Sequence, residues 1–214
     1  MSRTRVKICG VTNADDARVA VSAGVDALGM IVYPPSPRHV SELAAQEIRQ
    51  VVPAFVSLVL VTVDMEQSLL KHWIQVANPD ILQFHGNETA ADALYFNLPY
   101  IKSLRMREDI DLANLESGYK SARALLLDTY VPNQVGGTGI AFDWSRAKQI
   151  TRHSVILAGG LEPSTVGQAI SNAHPFAVDV SSSLESAPGV KDHRAVYEFI
   201  QAVHAADCRT QKNL

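Results

Sequence analysis

Short apolar runs alternate with amphipathic stretches along this 214-residue chain, and the period of the pattern switches repeatedly between two and 3.6. VKIC at 6–9 predicts a strand, and 13–24 predicts a helix capped by Asn13 and closed by Gly24. Further strands are predicted at 25–33, 55–63, 80–86, 100–106, 122–130, 154–160 and 176–183. Helical patterns follow them from 42 and at 65–77, 88–96, 108–117, 142–150, 163–171 and 191–206. Strands alternating with helices imply parallel βαβ units with right-handed crossovers. Eight such units without a break in composition predict an α/β fold, a single (β/α)8 TIM barrel over 1–206, followed by a polar tail at 207–214. A doubly wound open sheet is the rival, but it places its phosphate-binding glycines after the first strand. Here the glycine-rich turns come late.

Strands covered on both faces should be almost wholly apolar, so polar residues within them carry information. Side chains two apart share a face. Lys7 therefore shares one with Cys9, Gln83 with His85, and Asp179 with Ser181, while Asp128 follows the run ALLL. Pointing these residues into the barrel puts most of them at the C-terminal strand ends, where barrel active sites are built. A buried ammonium needs an acid, so Lys7 should pair with Asp128 or Asp179. A cation beside Cys9 would favour its thiolate.

Composition narrows the partners. The chain is 47% hydrophobic with a formal net charge of −3, and it has no basic block, which argues against nucleic acid. No apolar run is long enough to span a bilayer and no leader-like segment opens the chain, so the expected setting is the cytoplasm, away from membranes. Of the two cysteines, Cys208 reads as a surface thiol in the tail. Neither belongs to a metal-type spacing, so no metal is expected. Oligomeric state is left open between monomer and homodimer.

Two late turns suit a phosphate. LAGGLEPST carries Gly159 and Gly160 after strand seven, and VDVSSSLES carries Ser181 and Ser182 after strand eight. Glycines let the backbone approach an anion, and barrels recurrently bind phosphate with these two loops. Arg38, behind two prolines in YPPSPRHVS, suits a carboxylate. The glycines at 136, 137 and 139 suggest a lid. These residues describe a barrel that handles a small phosphorylated molecule through an acid and a thiol.

KICG, YPPSPRHVS, QFHGNE, GGTGIAFDW, LAGGL and DVSSSLESAPGVKD, in this order, resemble the phosphoribosylanthranilate isomerases of tryptophan biosynthesis over residues 5 to 200. The resemblance implies a cofactor-free Amadori rearrangement of N-(5′-phosphoribosyl)anthranilate to 1-(2-carboxyphenylamino)-1-deoxyribulose 5-phosphate. It implies Asp128 as general acid, Cys9 as general base and Arg38 as the clamp on the anthranilate carboxylate. His85, Asp179 and the residues of the two phosphate turns are assigned to substrate binding. Ile140 stands where the family has a lysine, and Ser183 where it has a glycine. If that glycine is left-handed, Ser183 would be strained by about a kcal/mol. Phe84 and Met30 replace the more usual Leu and Phe, which reads as repacking. Two other readings share the barrel: a different phosphosugar isomerase or epimerase, and a silent phosphate-binding barrel.

Overall fold

In the computed structural model, which describes residues 3–107, 109–129 and 143–212, the eight expected strands close into one parallel barrel. They are β1 (Arg5–Cys9), β2 (Ala27–Ile31), β3 (Ser57–Thr62), β4 (Ile81–Phe84), β5 (Tyr100–Met106), β6 (Ala124–Thr129), β7 (Ser154–Leu157) and β8 (Ala177–Val180). Each pairs with the next in sequence, and β8 returns to β1 with Lys7 opposite Asp179. Helices α1 (Ala14–Ala23), α2 (Glu42–Val51), α3 (Gln67–Ala77), α4 (Ala90–Leu94), α5 (Leu112–Gly118), α6 (Val166–Ala173) and α7 (His193–Lys212) lie among them in chain order. No helix among the described residues is long and apolar enough to cross a membrane.

Alternation along the strands divides the buried residues into two layers. Val6, Ile8, Leu28, Leu58, Leu60, Leu82, Leu125 and Leu127 face outward and pack with the helices. Cys9, Val59, Val61, Ile101, Leu126, Ile156 and Ala158 fill the barrel interior. Met30 and Phe84 join the outer layer, where Phe84 meets Tyr100 edge-on at 5.8 Å.

Asn13 caps α1 by accepting from the Asp16 amide, and Gly24 ends it at φ 98°. The sixth unit differs from its expected α-helix. Trp144–Gln149 is a 3-10 helix, and its buried residues Trp144 and Ala147, with Ile150 just beyond, recur every three positions. That spacing makes one face of a three-residue period and leaves no stripe for a 3.6 period. A small antiparallel hairpin, β9 (Glu185–Ala187) with β10 (Val190–Lys191), was not expected between β8 and α7. The segment from 207, expected as a tail, instead continues α7 to Lys212. Asp207 accepts from both the amide and the hydroxyl of Thr4, at 2.8 and 2.7 Å, and so ties the last helix to the first strand. Cys208 is exposed, as expected.

Below the barrel, the buried Glu116 of α5 accepts from the amides of Thr151, Arg152 and His153 at 2.6 to 3.1 Å. Burial alone would raise its pKa, but the donors from Arg152 and His153 outweigh that and hold it below the ordinary 4.5. Its folded value is depressed, so its contribution is fully present above the unfolded value and is lost as pH falls through the folded one. Glu116→Ala should therefore cost about 2 kcal/mol in urea unfolding at pH 7, because three part-buried amide donors lose their charged acceptor. The gap to wild type should narrow as pH falls below the ordinary glutamate range. Equal midpoints at pH 7 would remove this role.

Candidate active site

A cavity of about 500 Å³ opens at the C-terminal end of the barrel. Cys9, Arg38, His85, Asp128, Gly159, Gly160, Asp179, Ser181 and Ser182 all line it, so every candidate residue reaches one space. They come from the ends of β1, β4, β6, β7 and β8 and from the loop after β2.

The β1–β8 register decides the partner of Lys7. Lys7 lies opposite Asp179, and its Nζ reaches Asp179 Oδ1 at 2.9 Å, both side chains buried. Burial disfavours the ammonium, but the charge and hydrogen bond of Asp179, together with those of Cys9, outweigh it and hold Lys7 above its ordinary value. Asp128 is left to His85, whose Nε2 lies 3.3 Å from Oδ2. Gln83 backs this pair, with Nε2 3.3 Å from both His85 Nδ1 and Ser103 Oγ. Gln83 Oε1 is buried with no partner among the described residues. Gln83 also lines the cavity, so a substrate hydroxyl there would find an open acceptor.

The expected low thiol pKa of Cys9 does not hold. Burial pushes it above the ordinary 9.0, and the pull of Lys7 falls short because Asp179 lies beside that ammonium. Cys9 therefore rests as a thiol at neutral pH. Its alkylation by iodoacetamide, read by mass spectrometry, should still climb about tenfold per pH unit at pH 9, since only the thiolate reacts. Levelling below pH 8.5 would contradict the geometry.

Two glycines make room for this end of the site. A Cβ on Gly29 would lie 2.8 Å from Cys9 Sγ and 3.0 Å from Lys7 Nζ. Gly10, at φ 73°, carries the side chain of Arg38 across its bare face, where a Cβ would lie 2.6 Å from Cδ. The glycine of KICG thus does more than end a strand. It seats the loop arginine over the cavity. Sequence reasoning missed Gly29 altogether, because its constraint comes from the facing strand.

Arg38 does not wait alone. Its Nε and Nη2 donate to Glu185 at 2.8 and 2.7 Å, and Glu185 also meets Lys191 Nζ at 2.8 Å. Neither Glu185 nor Lys191 was singled out in the sequence. The β9–β10 hairpin brings both back against Arg38.

The two turns expected to hold a phosphate line the same cavity. Gly159 and Gly160 both have positive φ, at 79° and 66°. A Cβ on Gly159 would strike Thr129, so the backbone runs close to β6. The amides of Gly159, Gly160, Ser182 and Ser183 have no partner among the described residues. Ser183 lies in a 3-10 turn, Ser182–Leu184, and is not among the left-handed residues, so the expected strain is absent. Its Oγ instead donates to Leu161 O at 2.5 Å and joins the two turns. Ile140 and the glycines at 136, 137 and 139 lie outside the described residues.

A closed (β/α)8 barrel that gathers a thiol, a carboxylate, a guanidinium and two turns with unpaired amides at its C-terminal mouth has the make-up of a barrel enzyme. A family model for N-(5′-phosphoribosyl)anthranilate isomerase matches residues 6–202, and the chain belongs to that family. It is an isomerase. The chain is 45% identical to N-(5′-phosphoribosyl)anthranilate isomerase of Pseudomonas fluorescens over 95% of its own length and 97% of the relative's. The phosphoribosyl anthranilate isomerase of Thermotoga maritima superposes with a TM-score of 0.87 at 35% identity, covering 94% of this chain and 99% of that one. A second structure, of the isomerase in complex with reduced 1-(o-carboxyphenylamino)-1-deoxyribulose 5-phosphate, has a TM-score of 0.83 at 34% identity, covering 94% of this chain and 99% of that one.

Proposed function

We propose that Asp128 and Cys9 are the acid and base of the reaction this chain catalyses, the Amadori rearrangement of N-(5′-phosphoribosyl)anthranilate in tryptophan biosynthesis. The observation that carries this reading is their shared cavity. β6 and β1 stand three strands apart round the barrel wall, so their residues can flank one sugar.

Asp128 gives a proton to the ribose ring oxygen. The C1′–O bond breaks as the anthranilate nitrogen lone pair forms a C=N bond. The minor thiolate form of Cys9, in equilibrium with the resting thiol, then takes the C2′ proton, and the electrons left behind make an enolamine. Protonation at C1′ and loss of the C2′ hydroxyl proton yield the ketone. Substrate and product are isomers, and each step needs only an acid and a base.

Arg38 holds the anthranilate carboxylate, and the amides of Gly159, Gly160, Ser182 and Ser183 hold the phosphate. Free amides on two facing turns, in a left-handed Gly-Gly step, support that placement. His85, Asp179, Ser181 and Gln83 take the sugar hydroxyls. A site built on a buried free thiol suits a reducing compartment, so the cytoplasm is part of the proposal. Every group named belongs to one chain, so each barrel is a complete unit as monomer or homodimer.

Mixing the protein with freshly made phosphoribosylanthranilate and following the loss of its fluorescence tests the reading. Rapid loss is expected. No loss with folded protein would favour the silent barrel. Rapid turnover of a phosphorylated aminoaldose without the carboxylate, unaffected by Arg38→Ala, would favour a different phosphosugar isomerase.

A further inference from the structure

Arg38 leaves the barrel wall on a loop stiffened by turns, with Ser36 N bonded to Tyr33 O and His39 N to Ser36 O. A long side chain on such a loop would still sample many rotamers, and each would have to be lost on binding. The structure removes that freedom. Glu185 accepts from Nε at 2.8 and 3.1 Å and from Nη2 at 2.7 Å, gripping one edge of the guanidinium. The carboxylate is almost fully buried, at 4% side-chain exposure, and the guanidinium mostly so.

A guanidinium has five N–H donors in one plane. Glu185 takes Nε–H and one on Nη2. The Nη1 pair and the second Nη2 proton have no partner among the described residues, and Arg38 lines the cavity. These remaining donors form the other bidentate edge, the geometry that matches a carboxylate.

Charge completes the arrangement. A lone carboxylate beside Arg38 would cancel the attraction for an anionic substrate. Lys191, with no side-chain exposure, meets Glu185 at 2.8 Å, so two cations and one anion leave the cluster at formal +1. The ammonium also donates to Cys9 O at 2.7 Å and Ser181 O at 3.2 Å, which accounts for all three of its protons. The carboxylate end of the site is thereby tied to the backbone of the base. Burial alone would push the Glu185 carboxyl up, but the Arg38 and Lys191 hydrogen bonds outweigh it and keep it ionised.

We propose that Glu185 is a positioning residue for the reaction, orienting the free edge of Arg38 toward the anthranilate carboxylate while Lys191 keeps the cluster net positive. The proposal rests on the reading of Arg38 given above.

The test compares kcat/KM for phosphoribosylanthranilate with kcat/KM for N-(5′-phosphoribosyl)aniline, which lacks only the carboxylate. Their ratio reports carboxylate recognition and is blind to general damage. Glu185→Ala with Lys191→Met keeps the formal charge at +1 and frees Arg38. Its ratio should fall about ten- to hundredfold, the scale of a misplaced bidentate contact. Arg38→Ala should lower the ratio at least as far, and adding the Glu185→Ala and Lys191→Met changes to Arg38→Ala should lower it no further. An unchanged ratio in the double variant, with a fallen ratio in Arg38→Ala, overturns the role of Glu185 alone. An unchanged ratio in Arg38→Ala overturns the clamp reading itself. Should the double variant not fold, Glu185→Gln is read in its stead: it keeps the volume but leaves Arg38 one neutral acceptor in place of a bidentate carboxylate, and because its added positive charge favours an anionic substrate, a fall in the ratio still reports lost positioning. A fall supports positioning, whereas a rise would mean that Glu185 acts only as a neighbouring negative charge and overturns the proposal.

Discussion

Cys9→Ser should lower kcat about 10³- to 10⁴-fold, the upper range for loss of a general base, while a non-reacting product analogue binds within about threefold of wild type. The substitution is nearly isosteric, so the interior layer that Cys9 shares with Val59, Val61 and Leu126 stays filled. What changes is the acidity of the group facing C2′. A serine hydroxyl is far less acidic than even the raised thiol of Cys9, so almost no anion is available to take the proton. Lys7 remains paired with Asp179 and cannot stand in, because its ammonium is held protonated. Stopped-flow fluorescence with saturating substrate separates turnover from binding. Turnover within about tenfold of wild type would take Cys9 out of the base role.

Asp128→Asn should lower kcat about 10²- to 10⁴-fold, again with little change in analogue affinity. Asparagine keeps the shape and can still meet His85, but it has no acidic proton to give the ring oxygen. Ring opening then becomes the slow step. That step can be isolated: rate should return with a substrate whose ring is already open. Asp128 is buried at 6% exposure beside His85 Nε2, so the carboxyl cannot be replaced by bulk water. Near-normal turnover in the variant would move the acid to His85, its 3.3 Å neighbour. A loss seen equally with the open-chain substrate would show that Asp128 orients the sugar and is not a proton donor.

The two variants differ in what surrounds them, and this separates what was legible in the chain from what was not. The alternation Val6, Lys7, Ile8, Cys9 assigns faces directly, because side chains along a strand must alternate. Val6 and Ile8 do lie under the helices, and Cys9 does lie in the interior layer. The count of strands, the closure into a barrel and the gathering of polar strand ends at one mouth follow from the same periodicity. Local signals of this kind survive folding because the backbone enforces them residue by residue.

Pairings across the barrel were another matter. Lys7 could have met Asp128 or Asp179, and only the register of β1 on β8 chose between them. The thiol pKa depended on a balance between burial and the Lys7 charge, and no spacing along the chain measures burial. Gly29 looked like any strand glycine until Cys9 and Lys7 came to lie against it.

By itself the sequence determined the barrel, the strand faces, the place of the two late glycine and serine turns and the residues proposed as acid and base. Each depends on the period of the chain or on side-chain chemistry carried by a short motif. The tertiary structure alone decided which acid neutralises Lys7, that Cys9 rests as a thiol, and that Glu185 and Lys191 enclose Arg38. Those outcomes depend on distance and burial between residues far apart in the chain, such as the 147 positions that separate Arg38 from Glu185. Such distances exist only once the barrel has closed.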